Sequence, residues 1–146
     1  MKKIRVGLIR CDSHGAYFGA MMGRHDPLKL RDPIERGTPP KKTWQAGGVH
    51  FYFYTSYWQP TLMTVPFVEG FEITRIWDHD ADLASSLSAV FDSQPKVCDT
   101  VDAVSDDVDL VFIADCNGIG QDHLDLTDAV AKALEFMHEA TVAAKE

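Results

Sequence analysis

Ile4-Arg5-Val6-Gly7-Leu8-Ile9, running directly into Arg10-Cys11-Asp12-Ser13-His14-Gly15, is the stretch on which the reading of the fold turns. Six mostly β-branched or aliphatic residues that stop at once in a polar cluster predict a strand buried on both faces. Asp12-Ser13-His14-Gly15 reads as a turn, with Asp12 and Ser13 as capping residues. Ala16 to Arg24 then reads as a short helix carrying Tyr17, Ala20, Met21 and Met22 on its apolar side. A buried strand feeding a helix through a tight polar turn is the first half of a parallel crossover.

The same rhythm resumes further on. Phe71-Glu72-Ile73-Thr74-Arg75-Ile76-Trp77 is strand-like and ends in Asp78-His79-Asp80, after which Leu83, Leu87, Val90 and Phe91 recur at helical spacing. Lys96-Val97-Cys98-Asp99 reads as a short third strand, Val101 to Val104 as a weak helical turn, and Asp109 to Ala114 as the strongest strand of the chain. Leu126, Val130, Ala133, Leu134, Met137, Thr141 and Ala144 trace one apolar face of a terminal helix of about five turns. Strands that are apolar throughout and alternate with helices need cover on both sides. The expected fold is therefore α/β: a doubly wound open parallel sheet, Rossmann-like, in one domain over residues 1–146.

Residues 25–68 interrupt this plan between the first helix and the second strand. Pro27, Pro33, Pro39, Pro40, Pro60 and Pro66 break any long helix there. Trp44, Phe51, Tyr52, Phe53, Tyr54, Tyr57 and Trp58 put seven aromatic side chains into fifteen residues, and His50 to Thr55 has the propensity of a strand. Two readings stay open for this insertion: a lid or oligomer contact, which would bring in a partner chain or a second copy, or a satellite core packed onto the parent domain.

Composition narrows the function classes. The chain has 146 residues, 45% of them hydrophobic and 25% charged, and a net charge of −8. Ten Lys/Arg face four Asp/Glu in residues 1–68, whereas four face eighteen in residues 69–146. That balance argues against nucleic acid as the main partner. The lack of an apolar run of roughly 18 to 20 residues argues against a membrane, and the start lacks a cleavage-type site, so the expected location is cytoplasmic. Cys11, Cys98 and Cys116 form no C-x-x-C pair and suggest neither a disulfide framework nor a thiolate zinc site.

In an open parallel sheet the ligand lies beyond the carboxyl ends of the strands, which here brings together Arg10 to Gly15, Asp78 to Asp80 and Asp115 to Asn117. Val6-Gly7-Leu8-Ile9, a turn ending in Gly15, an acid closing the second strand, and Val108-Asp109-Leu110-Val111-Phe112-Ile113-Ala114 together resemble the Gfo/Idh/MocA oxidoreductases, the glucose-fructose oxidoreductase and inositol dehydrogenase family. The resemblance covers residues 3–23 and 69 to about 130. It implies an N-terminal domain that binds NAD or NADP, with contacts from Arg10, Cys11, Asp12, Ser13, His14 and Gly15. Asp78 and His79 would lie on the adenosine side, Asp78 favouring NAD through the ribose hydroxyl. Asp115, Cys116, Asn117 and His123 would follow the fourth strand, Asn117 and His123 matching an Asn and a helix-start His of the family.

The family pattern is also broken in defined places. Its G-x-G-x-x-G falls on Arg10-Cys11-Asp12-Ser13-His14-Gly15, which keeps only the third glycine, the one that lets helix and strand pack closely. Asp12 puts an anion where the pyrophosphate belongs, and Arg10 offers a compensating cation. Asp115-Cys116 replaces a Thr-Pro pair. Ala129 to Glu146 stays helical, and the family's Glu-Lys-Pro has no counterpart, so the resemblance implies a chain without the catalytic Lys and the substrate domain, inactive alone. This reading assigns no catalytic residue and no metal ligand. Two alternatives stand beside it. One is a non-catalytic binding or assembly module that has lost the dinucleotide. The other is a divalent-cation site at Asp12, Asp78 and Asp115, with His14 and His123 nearby.

Overall fold

A computed structural model of the chain describes residues 2–31, 49, 68–115 and 120–143, with side chains of the last stretch over 122–135. Strand β1, Ile4–Ile9, runs as its sequence predicts, and Val6, Leu8 and Ile9 are fully buried. It lies between β2, Phe71–Trp77, and β4, Leu110–Ile113. The two-residue β3, Lys96–Val97, adds to β2, giving among the described residues a four-stranded, all-parallel sheet in the order β3-β2-β1-β4. The architecture is thus α/β on a parallel sheet. Asp109 to Ala114, expected as the strongest strand, delivers only four strand residues, fewer than β1 or β2, with Leu110 exposed at its start.

The pleat of β1 divides the core in two. Val6 and Leu8 face α1, Ser13–Met22, and α3, Ala81–Ser88, through Ala16, Ala20, Ala84 and Leu87. Ile9 faces the opposite core with Val104, Leu126 and Val130, so the 3-10 turn Asp102–Ser105 and α4, Gly120–Ala143, cover the second face. The register slips by one residue within β2: Val6 pairs with Ile73 and Gly7 with Arg75. The extra residue, Thr74, allows Ile73 and Ile76, three positions apart, to turn into the same core.

Several local expectations change. Ser13, His14 and Gly15 are helical rather than a turn, because Asp12 caps α1 and starts it three residues earlier: its Oδ1 accepts the N–H of His14 at 2.9 Å and of Gly15 at 3.4 Å. The buried stripe of α1 is Gly15, Ala16, Gly19 and Ala20, while Tyr17, Met21 and Met22 are only partly covered. Small residues bring this helix close to the sheet, and Phe91 lies against Gly19 and Gly23, where an added Cβ would come within 2.8 and 3.0 Å of its ring. Val90 and Phe91 lie past the end of α3, in turns closed by Val90 N–H to Leu87 O and Phe91 N–H to Ser88 O. Phe91 instead makes an antiparallel bridge with His25.

Pro27, read as an interruption, opens the short helix α2, Pro27–Arg31, since a first helical position needs no N–H. On α4, Leu126 and Val130 are buried, but Leu134 is half exposed, so among the described side chains burial along the apolar face falls off after Val130. Met137 and Thr141 lie beyond the described side chains and Ala144 beyond the described residues, as do the seven aromatics and the proposed strand of the insertion. Val49 is the described residue at the heart of that segment, and it belongs to the core with Leu8 and Ile73. No helix among the described residues is long and apolar enough to cross a membrane.

The start of β4 is pinned to β1 by charge. Arg5 donates from Nε and Nη2 to the two oxygens of Asp109 at 3.0 and 3.2 Å, and its backbone N–H adds a third bond to Oδ2 at 2.9 Å. Asp107, held at a positive φ of 52°, accepts from the same guanidinium. These bonds, the Arg5 side chain first and its backbone N–H second, hold the Asp109 carboxyl well below the usual carboxylate range. A depressed folded-state pKa stabilises the fold above the unfolded value of about 3.9, and the contribution is lost as pH falls below it. Asp109→Asn should therefore lower stability at pH 7, and its deficit against the wild type should narrow at pH 3, as read by urea unfolding at the two pH values. On the same face of β1 as Arg5 and Ile9, a Cβ at Gly7 would sit 2.5 Å from the Val104 carbonyl oxygen and 2.6 Å from its Cγ1. Gly7→Ala should cost about 1–3 kcal/mol in the same assay.

Candidate functional site

The carboxyl ends of β1, β2 and β4 and the first turn of α4 bring Arg10, Asp78, His79, Asp115, Asp122 and His123 to one edge of the sheet. The chain leaves β1 through Arg10, whose φ of 78° is a glycine-like backbone on a residue with a long side chain. Its N–H bonds to Trp77 O at 2.8 Å, extending the β1–β2 ladder by one step. Gly15 explains the tightness that follows: an added Cβ would lie 2.0 Å from the Arg10 carbonyl oxygen, so the first turn of α1 rests directly on backbone.

Asp78 closes the loop after β2. Its Oδ2 accepts the buried Cys11 N–H at 2.7 Å and its Oδ1 accepts the Asp80 N–H at 3.0 Å, which ties the β1 and β2 loops together. Asp80 then caps α3. Cys11 is fully buried, and burial, with Asp78 next in weight, pushes its thiol well above the usual range; it is not a ready thiolate.

The cation expected to compensate Asp12 is engaged elsewhere. Arg10 Nη2 lies 2.9 Å from Asp122 Oδ2 and 3.7 Å from Asp115 Oδ1, with the guanidinium largely buried, while Nε meets no acceptor among the described residues. Asp122 also faces His79, whose Nε2 is 3.6 Å from Oδ1 and whose ring stands edge-on to Trp77 at 4.6 Å. Asp115 is fully buried at its side chain and has Oδ2 3.5 Å from His123 Nδ1. His123 is half exposed in the first turn of α4.

The structure thus joins Arg10, His79, Asp115 and His123 in one cluster, sets Cys11 and Asp78 as its scaffold, and puts Asp12, Ser13, His14 and Gly15 at the start of α1. His14 is exposed and contributes its backbone N–H to the cap. Cys116 and Asn117 lie outside the described residues. Asp122 was missing from the sequence reading; the signal for it is an acid in the first turn of a helix, beside His123, at the end of the sheet where Arg10 emerges. The three carboxylates proposed as a cation site do not share a centre. Asp12 caps α1, Asp78 binds two backbone N–H groups and Asp115 faces Arg10 and His123. No group of three or more His, Cys, Asp or Glu among the described residues is arranged to hold a metal ion.

Comparison with protein-family models, with curated proteins and with solved structures finds no match in any of the three. The geometry of the edge therefore stands by itself, and it makes Asp78 the post on which two loops hang. Asp78→Ala leaves the Cys11 N–H without its acceptor in a buried setting, and should lower stability by about 1–3 kcal/mol in chemical denaturation.

Proposed function

We propose that the chain is a Rossmann-like, doubly wound domain of Gfo/Idh/MocA oxidoreductase type that binds NAD(P), with NAD favoured, at the carboxyl edge of its sheet. The observation that carries this reading is the junction of β1 and α1: a left-handed Arg10 followed by Gly15 packed on its carbonyl, where a Cβ would come to 2.0 Å. Those are the tight turn and the close helix–strand packing that the first and third glycines serve in dinucleotide sites. The strand order β3-β2-β1-β4, with an acid at the end of β2, supports the same assignment.

The fit to the dinucleotide is divided. Asp78 stands at the ribose position, although each of its oxygens already accepts one backbone N–H, which leaves the remaining lone pairs for a hydroxyl. At the pyrophosphate position the fit fails, since Asp12 Oδ1 already takes the His14 and Gly15 N–H groups that a phosphate would use, and Arg10 is held by Asp122. We therefore assign weak binding and derive no chemical step through the cofactor. Lys132, on α4, is exposed and takes no part in the edge.

The same Asp12 contact favours a second reading, a binding or assembly module in which dinucleotide affinity has been lost. Thermal shift with NAD⁺, NADH and NADPH separates the two. Saturation at roughly 100 times Kd adds about 2.7 kcal/mol and a clear rise in Tm, whereas no rise with any of them removes the first reading. Asp12→Gly should tighten binding by about 1 kcal/mol, roughly fivefold, by removing the anion at the helix N-terminus. Its cost to folding should be only a few tenths of a kcal/mol, since glycine is itself a tolerable cap. An unaltered or weaker affinity would count against the alignment of Arg10 to Gly15 with the glycine motif.

A further inference from the structure

We infer that Asp122 is an internal competitor for a ligand's phosphate: its carboxylate occupies Arg10, and the carboxyl edge takes a phosphate-bearing small molecule by exchanging that carboxylate for a phosphate group. Asp122 is thus an autoinhibitory contact and Arg10 the residue that binds. The inference rests on the functional reading only for the phosphate nature of the ligand. It gives a cause to part of the misfit at the pyrophosphate position, where Arg10 is already held.

Arg10 is held without being satisfied. A guanidinium carries five N–H donors, yet the side chain of Arg10 makes a single hydrogen bond among the described residues, from Nη2 to Asp122 Oδ2 at 2.9 Å. Asp115 Oδ1, at 3.7 Å, is beyond hydrogen-bond reach, and Nε is buried without an acceptor among the described residues. The side chain is only 13% exposed, and its backbone stands at a costly φ of 78°. An arginine kept for a structural ion pair would gain from neither feature. A donor group reserved for an oxygen-rich ligand has both, since a phosphate can take two of its N–H groups at once whereas Asp122 takes one.

Asp122 is placed to let go. It lies in the first turn of α4 with its side chain 37% exposed, and its two oxygens face different partners, Oδ2 the Arg10 guanidinium and Oδ1 the His79 Nε2 at 3.6 Å. When Arg10 turns to a phosphate, Asp122 keeps His79 and water, so the exchange leaves no buried charge alone. The helix itself stays in place, because Leu126 and Val130 are buried with Ile9 and Val104 beneath it. Asp115 cannot take this part, having a fully buried side chain directly after β4. Asp12 is a separate obstacle, on the N–H groups of α1. The apparent affinity for a phosphate ligand is reduced by the fraction of chains in which Arg10 is open.

Titration calorimetry of the full chain with NAD⁺ and with inorganic pyrophosphate, at one fixed salt concentration, tests the exchange. Asp122→Asn should lower Kd for both by about tenfold, within the usual span of coupling between two states. Asp128→Asn removes the same charge from an exposed position of the same helix and should leave Kd nearly unchanged. Added to Arg10→Asn, a substitution that the left-handed backbone tolerates, Asp122→Asn should bring no gain. No gain in the single variant, a gain matched by Asp128→Asn, or a gain that survives Arg10→Asn overturns the inference. A gain for pyrophosphate with no NAD⁺ binding in any chain supports the autoinhibitory contact and removes the dinucleotide reading. NAD⁺ binding of equal strength with and without the Asp122 carboxylate does the reverse. If Asp122→Asn fails to fold, the ¹³C resonance of the Asp122 carboxyl in the wild type decides: displacement by pyrophosphate supports the exchange, and an unmoved resonance overturns it.

Discussion

The contact between Gly15 and the Arg10 carbonyl sets the geometry of everything around it. With the space for a Cβ closed to 2.0 Å, α1 can begin only where it does, directly over the end of β1. That seat fixes the stripe of small residues on α1, which in turn leaves room for the Phe91 ring between Gly19, Gly23 and the sheet. The same junction forces Arg10 into a left-handed backbone and sends its side chain toward α4. Both faces of the sheet thus take their spacing from one glycine, α1 through packing and α4 through the ion pairs of the residue that glycine rests on.

Much of the framework was legible in the sequence because its signal is local. β1 and β2 have the bounds that their apolar runs suggest, and Asp12 is a cap, since a capping side chain bonds to N–H groups only two and three residues away. The missed features depend on partners distant in the chain. Phe91 fits the helical period of α3, yet what holds it is the pair of glycines on α1 and the bridge to His25. Leu134 fits the apolar face of α4, but it stays half exposed.

The site follows the same rule. Asp78 and Gly15 could be picked out because their positions in a strand–turn–helix unit have fixed tasks. Arg10 was expected to offer its charge to a phosphate, and instead it meets Asp122, 112 positions later, which no spacing rule connects to it. The uneven charge of the two halves of the chain acquires a physical meaning here. Arg5, Arg10 and Lys3 from the first strand region find Asp109, Asp107, Asp122, Asp115 and Glu72 in the acidic half, so opposite charges join the halves across the sheet.

The left-handed Arg10 also bears on how distant parts of the chain are joined. A glycine at that position would let the turn close from local contacts. An arginine there holds a costly backbone conformation, which the folded structure keeps alongside the contacts of its guanidinium with the acids after β4 and on α4. The turn that closes on Gly15 is therefore tied, through the Arg10 side chain, to acids at the far end of the sequence, which couples the end of β1 to β4 and α4.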